Sequence, residues 1–196
     1  MKEYMTPNII GILVLCLLIS LLLIISKHDI HNHRIPNHLV LIGILLGLVF
    51  NSALPVGWGF NSTIPGGLGF LASLEGIGLG IMALLPLYWI RAMGAGDVKL
   101  MGMIGAFVGP HDILGVVLAT FVAGGFMALV VVLLSRQIRQ LFQNIKLIMI
   151  GALVNLSSGN MPHISDLPIS VGKLPYAVAI TAGVMSYLVY QRWFKF

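Results

Sequence analysis

Apolar residues run along this chain in stretches of 15 to 23, and the short polar links between them hold most of the charges. Stretches of that length predict membrane-crossing helices, because a bilayer core takes about 20 apolar residues at a rise of about 1.5 Å each. The expected spans are Asn8 to Ile25, His38 to Ala53, Leu68 to Ile90, Ala95 to Gly109, Ile113 to Leu134 and Pro175 to Tyr190. The first has no charge, is closed by Lys27 and is followed by no small-x-small site, so it reads as a span and not as a cleaved leader. The fourth is short and can cross only where neighbours shield its ends or the bilayer is locally thin. Gly102, Gly105 and Gly109 suit such close packing, as do Gly43 and Gly47 in the second span and Gly76 and Gly80 in the third.

The links are equally informative. Ser26 to His38 is the most polar stretch, with Pro36 stopping any helix at Ile35, so a loop is expected there and a new helix near Asn37. Leu54 to Gly67 reads as an uncharged loop on the opposite side, and Gly109-Pro110-His111-Asp112 as a tight turn. After the fifth span, Ile138, Leu141, Phe142 and Ile145 recur at helical spacing, with Arg136, Arg139, Gln140, Gln143 and Lys146 taking the other face. That pattern predicts an amphipathic helix lying in the membrane interface within 136–156. The expected fold class is all-α: a polytopic integral membrane protein of about six transmembrane helices with an amphipathic cytoplasmic-side helix, forming one membrane-embedded domain over residues 1–196.

Composition agrees with this. Hydrophobic residues make up 58% of the 196 and charged residues 9%, with a mean hydropathy of +1.01, far from the roughly 25% charge of a soluble domain. The net charge of +5 does not point to nucleic acid, because the basic residues stand at the ends of apolar segments instead of on one face. They set topology. With six spans, Lys27, Arg34, Arg91, Lys99, Arg136, Arg139, Lys146 and Lys173 fall on one side and Lys2, Arg192 and Lys195 on the other, which makes the first side cytoplasmic. The single cysteine, Cys16, lies inside an apolar run, so no disulfide framework or CxxC site is expected.

Against this background two aspartates stand out, Asp29 after the first span and Asp97 in Gly94-Ala95-Gly96-Asp97-Val98-Lys99-Leu100 at the start of the fourth. A carboxylate at the membrane edge costs energy and marks a functional site by default. Both sit on the predicted cytoplasmic side. Two carboxyls held within a few Å cannot both ionise cheaply, so they tend to share a proton: one can then activate water while the other polarises a peptide carbonyl. Which one is base cannot be assigned, because such a pair titrates as a unit. Gly94 and Gly96 let the backbone turn tightly and another chain lie close. Lys99, two positions on, is expected to anchor the helix end at the lipid headgroups. Glu75, inside the third span, reads as a carboxyl that is protonated or reaches interfacial water. His28, His31, His33 and His38 crowd around Asp29, but no fixed ligand spacing accompanies them, so neither a metal nor a cofactor is expected. From another class, the rival is a small ion-coupled transporter or proton-relay bundle using Asp29, Glu75 and Asp97, which internal repeat symmetry would favour; none is visible.

These residues resemble the type IV prepilin peptidase family, prokaryotic membrane aspartic proteases with a Gly-x-Gly-Asp motif. Asp29, followed six residues later by Ile35-Pro36-Asn37, is similar to the family's first motif, and Gly94 to Leu100, continuing to Gly105-Ala-Phe-Val-Gly109, to its second. Leu174-Pro175-Tyr176-Ala177 is similar to a weaker motif opening the last helix. The resemblance implies that Asp29 and Asp97 are the catalytic pair, with Ile35, Pro36, Asn37, Gly94, Gly96 and Lys99 as motif support. It also implies a substrate, a type IV prepilin or pseudopilin whose short basic leader is cut on the cytoplasmic side of the inner membrane. Longer family members carry paired CxxC motifs between the first spans and methylate the new N-terminus. Only about ten residues separate those spans here, which argues against methyltransferase activity and for the short, peptidase-only form.

Overall fold

The computed structural model describes residues 5–54, 67–134, 146 and 175–194. Five helices occur among them: α1 (Met5–Asn32), α2 (Asn37–Ala53), α3 (Phe70–Trp89), α4 (Ala95–Leu134) and α5 (Tyr176–Phe194), with no strand. By length and composition, α1, α3 and α4 are apolar and long enough to cross a membrane, and α2 is a shorter apolar helix. The expected interfacial helix within 136–156 lies outside the described residues, Lys146 aside, as do loop residues 55–66. The count of six crossings therefore stays an expectation.

α1, α2 and α3 each bury one stripe and leave large apolar side chains exposed on the reverse side, which is suited to lipid. On α1 the stripe is Val14, Leu18, Leu22, Ile25, then Asp29, at spacings of three and four. Exposed positions such as Leu71 and Val122 (73% and 74%) are large and apolar. The centre of the bundle is the first leg of α4, residues 95–108, in which Leu100, Met101, Met103, Ile104, Ala106 and Phe107 are all completely buried. Neighbouring helices thus enclose this segment.

Two backbone features set the path of α4. Gly109 has φ 76° and ψ −178°, outside the helical region, and Pro110 restarts the helix with its preset φ. The expected four-residue turn is thus a single residue. The second leg then folds back, because Phe121 and Gly124 share a small cavity with Leu87, Met93 and Tyr176 near the start of the first leg. α3 runs antiparallel to the first leg, Gly76 meeting Gly105 and Gly80 meeting Met101. α5 runs antiparallel to the second, with Ala179 beside Gly124, Gly183 against Thr120 and Tyr187 against Gly115. At the end of this pair Asp112, buried in the first turn of the second leg, accepts hydrogen bonds from Tyr187 Oη (2.7 Å) and Gln191 Nε2.

Asn51, 1% exposed near the end of α2, ties three elements together. Its Nδ2 donates to the carbonyls of Ala106 (2.6 Å) and Phe107 (3.3 Å), and its Oδ1 accepts from Leu68 N. Ser73 Oγ donates to the same Ala106 carbonyl (2.7 Å). Asn51→Leu leaves the Leu68 N–H without this acceptor, and thermal melting of the purified variant is expected to show a loss of about 1–3 kcal/mol.

Candidate active site

The polar stretch after the first span is not the long loop that hydropathy predicts. α1 continues two turns to Asn32, so Asp29 stands on a helix, on the same face as the buried stripe below it. His33 ends the helix with φ 49° and donates its N–H to the carbonyl of Asp29 (2.8 Å), a left-handed C-terminal cap. α3 ends in a related way. Arg91 adopts φ 57°, its N–H donates to Tyr88 O (3.0 Å), and Ala92 N–H donates to Leu87 O (2.8 Å), the paired bonds of a Schellman motif. Neither residue is glycine, and a side chain in that conformation costs about 1–2 kcal/mol. The two turns bring the chain from α1 into α2 and from α3 into α4 at the same end of the bundle.

At that end the two aspartates line one cleft of about 350 Å³. Ile35, Asn37, Gly94, Gly96 and Lys99 line it with them, together with His33 and Arg34. Both carboxyls are mostly buried, at 6% exposure each. Each is also held at a helix N-terminus, where free N–H groups and the macrodipole favour negative charge. Asp97 is the third residue of α4, and its Oδ2 accepts from Gly94 N–H at the cap (3.0 Å), one half of a capping box. Asp29 does the same for a different helix: its Oδ2 accepts from Ala177 N–H in the first turn of α5 (3.2 Å), 148 positions away. Ser26, one turn before Asp29, fixes that docking with its hydroxyl against Thr181 Oγ1 (2.7 Å) and the Ala177 carbonyl (3.1 Å). Each carboxyl is thus anchored through one of its oxygens.

The motif residues knit the two loops together. A Cβ on Gly96 would come within 3.0 Å of Ile35 Cβ, so the absence of a side chain there lets the second motif pack on the first. Lys99 reaches into the cleft lining from α4. Its Nζ donates to Asn37 Oδ1 (3.2 Å), because a four-carbon stem reaches round the helix to the cleft. Pro36 lines the neighbouring cavity instead and starts α2, its carbonyl accepting from Leu39 and Val40 N–H. Glu75 stands exposed on α3, level with Gly105 and two turns of helix, about 12 Å, from the level of Asp97. Among the described residues no three His, Cys, Asp or Glu side chains converge as metal ligands.

Two contributors escaped sequence reasoning. The Ala177 N–H is a backbone group with no signature beyond the Leu-Pro-Tyr-Ala that opens its helix, and the Ser26–Thr181 contact rests on two small hydroxyls inside apolar runs. Neither the curated proteins nor the solved structures yield a match to this chain. A model of the type IV leader peptidase family does match, over residues 16–130. That interval is more than half of the chain and holds both aspartates, both motif loops and the fold-back at Gly109. On that match the chain belongs to the type IV leader peptidase family.

Proposed function

We propose that this membrane protein is an aspartic endopeptidase that removes the leader of a type IV prepilin or prepilin-like protein at the cytoplasmic face of a prokaryotic inner membrane, with Asp29 and Asp97 as its catalytic pair. The observation that carries this reading is that two carboxyls from distant parts of the chain share one polar cleft at one end of an apolar bundle. In the reaction, the ionised carboxyl takes a proton from water as the oxygen attacks the scissile carbonyl, and the protonated one donates to the developing oxyanion. The proton then passes to the leaving amine. No covalent intermediate is needed. The cleft is open to solvent and lies at the end of the helices, which suits a bond at the polar end of a substrate's hydrophobic helix. The chain acts as one membrane-embedded domain in this reading, and Asn37 and Lys99 position the two loops.

The transporter reading loses its third carboxyl, since Glu75 is exposed and lies outside the cleft. Co-expression with a candidate prepilin from the same genome, followed by mass measurement of the pilin N-terminus, tests the peptidase. The expected result is loss of a leader-sized mass without an added methyl group. A well-inserted protein that cleaves no prepilin of that genome would return weight to ion transport.

A further inference from the structure

A second cavity, of about 490 Å³, opens between the end of α1 and the start of α2, on the other side of the loop that follows Asp29. Lys27, His28, His31 and His38 line it, with Ile24 and Leu39 as its apolar part. Among the described residues no Asp or Glu lines it, and Asp29, the acid next to His28 in sequence, lines the aspartate cleft instead. One ammonium and three imidazoles thus surround a concave space, with the Asn32 amide donating to the His28 ring (3.2 Å). The ring of His31 is fixed by its Nδ1–H, which donates to the Lys27 carbonyl (3.0 Å).

The apolar surroundings decide what kind of anion fits. Leu23 and Ile24 on α1 and Leu41 and Ile42 on α2 are exposed large hydrophobics just below the cavity. Lys27 closes the apolar run of α1, at the level where long cationic side chains meet headgroups. A ligand with a phosphate at one end and hydrocarbon at the other satisfies both parts, whereas a free phosphate satisfies only the first. We propose that the Lys27–His28–His31–His38 cavity is a binding site for the phosphate headgroup of an anionic phospholipid, whose acyl chains run down the exposed faces of α1 and α2. The site explains why a helix end carrying Asp29 is flanked by imidazoles and an ammonium that take no part in the aspartate cleft. A lipid seated there braces the last turn of α1, and so the backbone that presents Asp29.

The test uses the full chain purified in a neutral detergent and reads its melting temperature and, by native mass spectrometry, the lipid it retains. Phosphatidylglycerol, phosphatidylcholine and inorganic phosphate are titrated separately. Phosphatidylglycerol is expected to give a saturable rise of about 3 °C and one retained lipid, with no rise from the other two. Lys27→Gln/His31→Gln/His38→Gln should lose most of that rise, and Lys27→Arg should keep it. If the triple variant does not fold, Lys27→Gln and His38→Gln alone should each reduce the rise. An unsaturable response, or an equal rise in the neutralised variants, would overturn the site. An equal rise with inorganic phosphate would overturn the lipid as its ligand. No substrate enters the assay, so its outcome is independent of the peptidase reading.

Discussion

Asp29→Asn and Asp97→Asn are each expected to cut leader processing by about 10²–10⁴-fold while the protein remains inserted and melts near the parent temperature. An asparagine keeps the size of the side chain and can still present an oxygen to Ala177 N–H or Gly94 N–H, so both helix caps survive. It cannot hold and return a proton, which is the one property the reaction takes from these positions. Because the carboxyls act as a unit, the double variant should be little worse than either single one. Cleavage of a co-expressed prepilin, read as the ratio of processed to unprocessed pilin, checks this directly. Either single variant retaining substantial activity would remove the pair from the mechanism, and loss of the protein from the membrane would make the residues structural.

The largest effect on stability is expected at the crossing of α3 with the first leg of α4. A Cβ on Gly105 would collide with the Gly76 carbonyl and lie 3.1 Å from Ile77 N, and one on Gly76 would collide with the Gly105 carbonyl and lie 2.9 Å from Gly109 Cα. All of these atoms are backbone, so no flexible side chain can yield, and two fully packed helices must separate instead. Gly105→Ala or Gly76→Ala should therefore cost about 3 kcal/mol, the upper part of the usual overpacking range, or roughly 10 °C in melting temperature. Gly78, on the same helix, supplies the contrast. Nothing lies within 4 Å of a Cβ there, so Gly78→Ala is expected to be neutral or slightly stabilising. Equal melting temperatures for the two α3 variants would show that the close approach carries no weight.

The parts of this molecule that were legible in sequence are those where chemistry and spacing coincide. Apolar run lengths identified where five helices lie, and the two aspartates with their flanking Ile-Pro-Asn and Gly-x-Gly identified the cleft. Hydropathy failed at 26–32, because Lys27, His28, Asp29 and Asn32 look like a loop on any transfer scale. The helix persists there because its inward stripe continues onto Ser26 and Asp29, and both have partners on α5. That information is tertiary and sits 148 or more positions away. The bond from Lys99 to Asn37 is hidden for a similar reason: helical spacing says where a Cα points, not where a long flexible side chain ends. Gly109-Pro110 signalled a break, but the return of the second leg along α5 depends on contacts such as Gly183 with Thr120 that no local pattern reports.

The bond between Asp29 and Ala177 carries a consequence for biogenesis. Chains emerge from the ribosome N-terminal end first, so Asp29 enters the membrane long before its donor exists. Through the synthesis of α2, α3 and both legs of α4, the first carboxyl lacks the N–H that fixes it. The anchoring of Asp29 thus waits until α5 is made. On the proposed reading, a nascent chain that has α1 to α4 but not yet α5 holds Asp29 without its anchor, and cleavage by the pair is expected only after α5 docks.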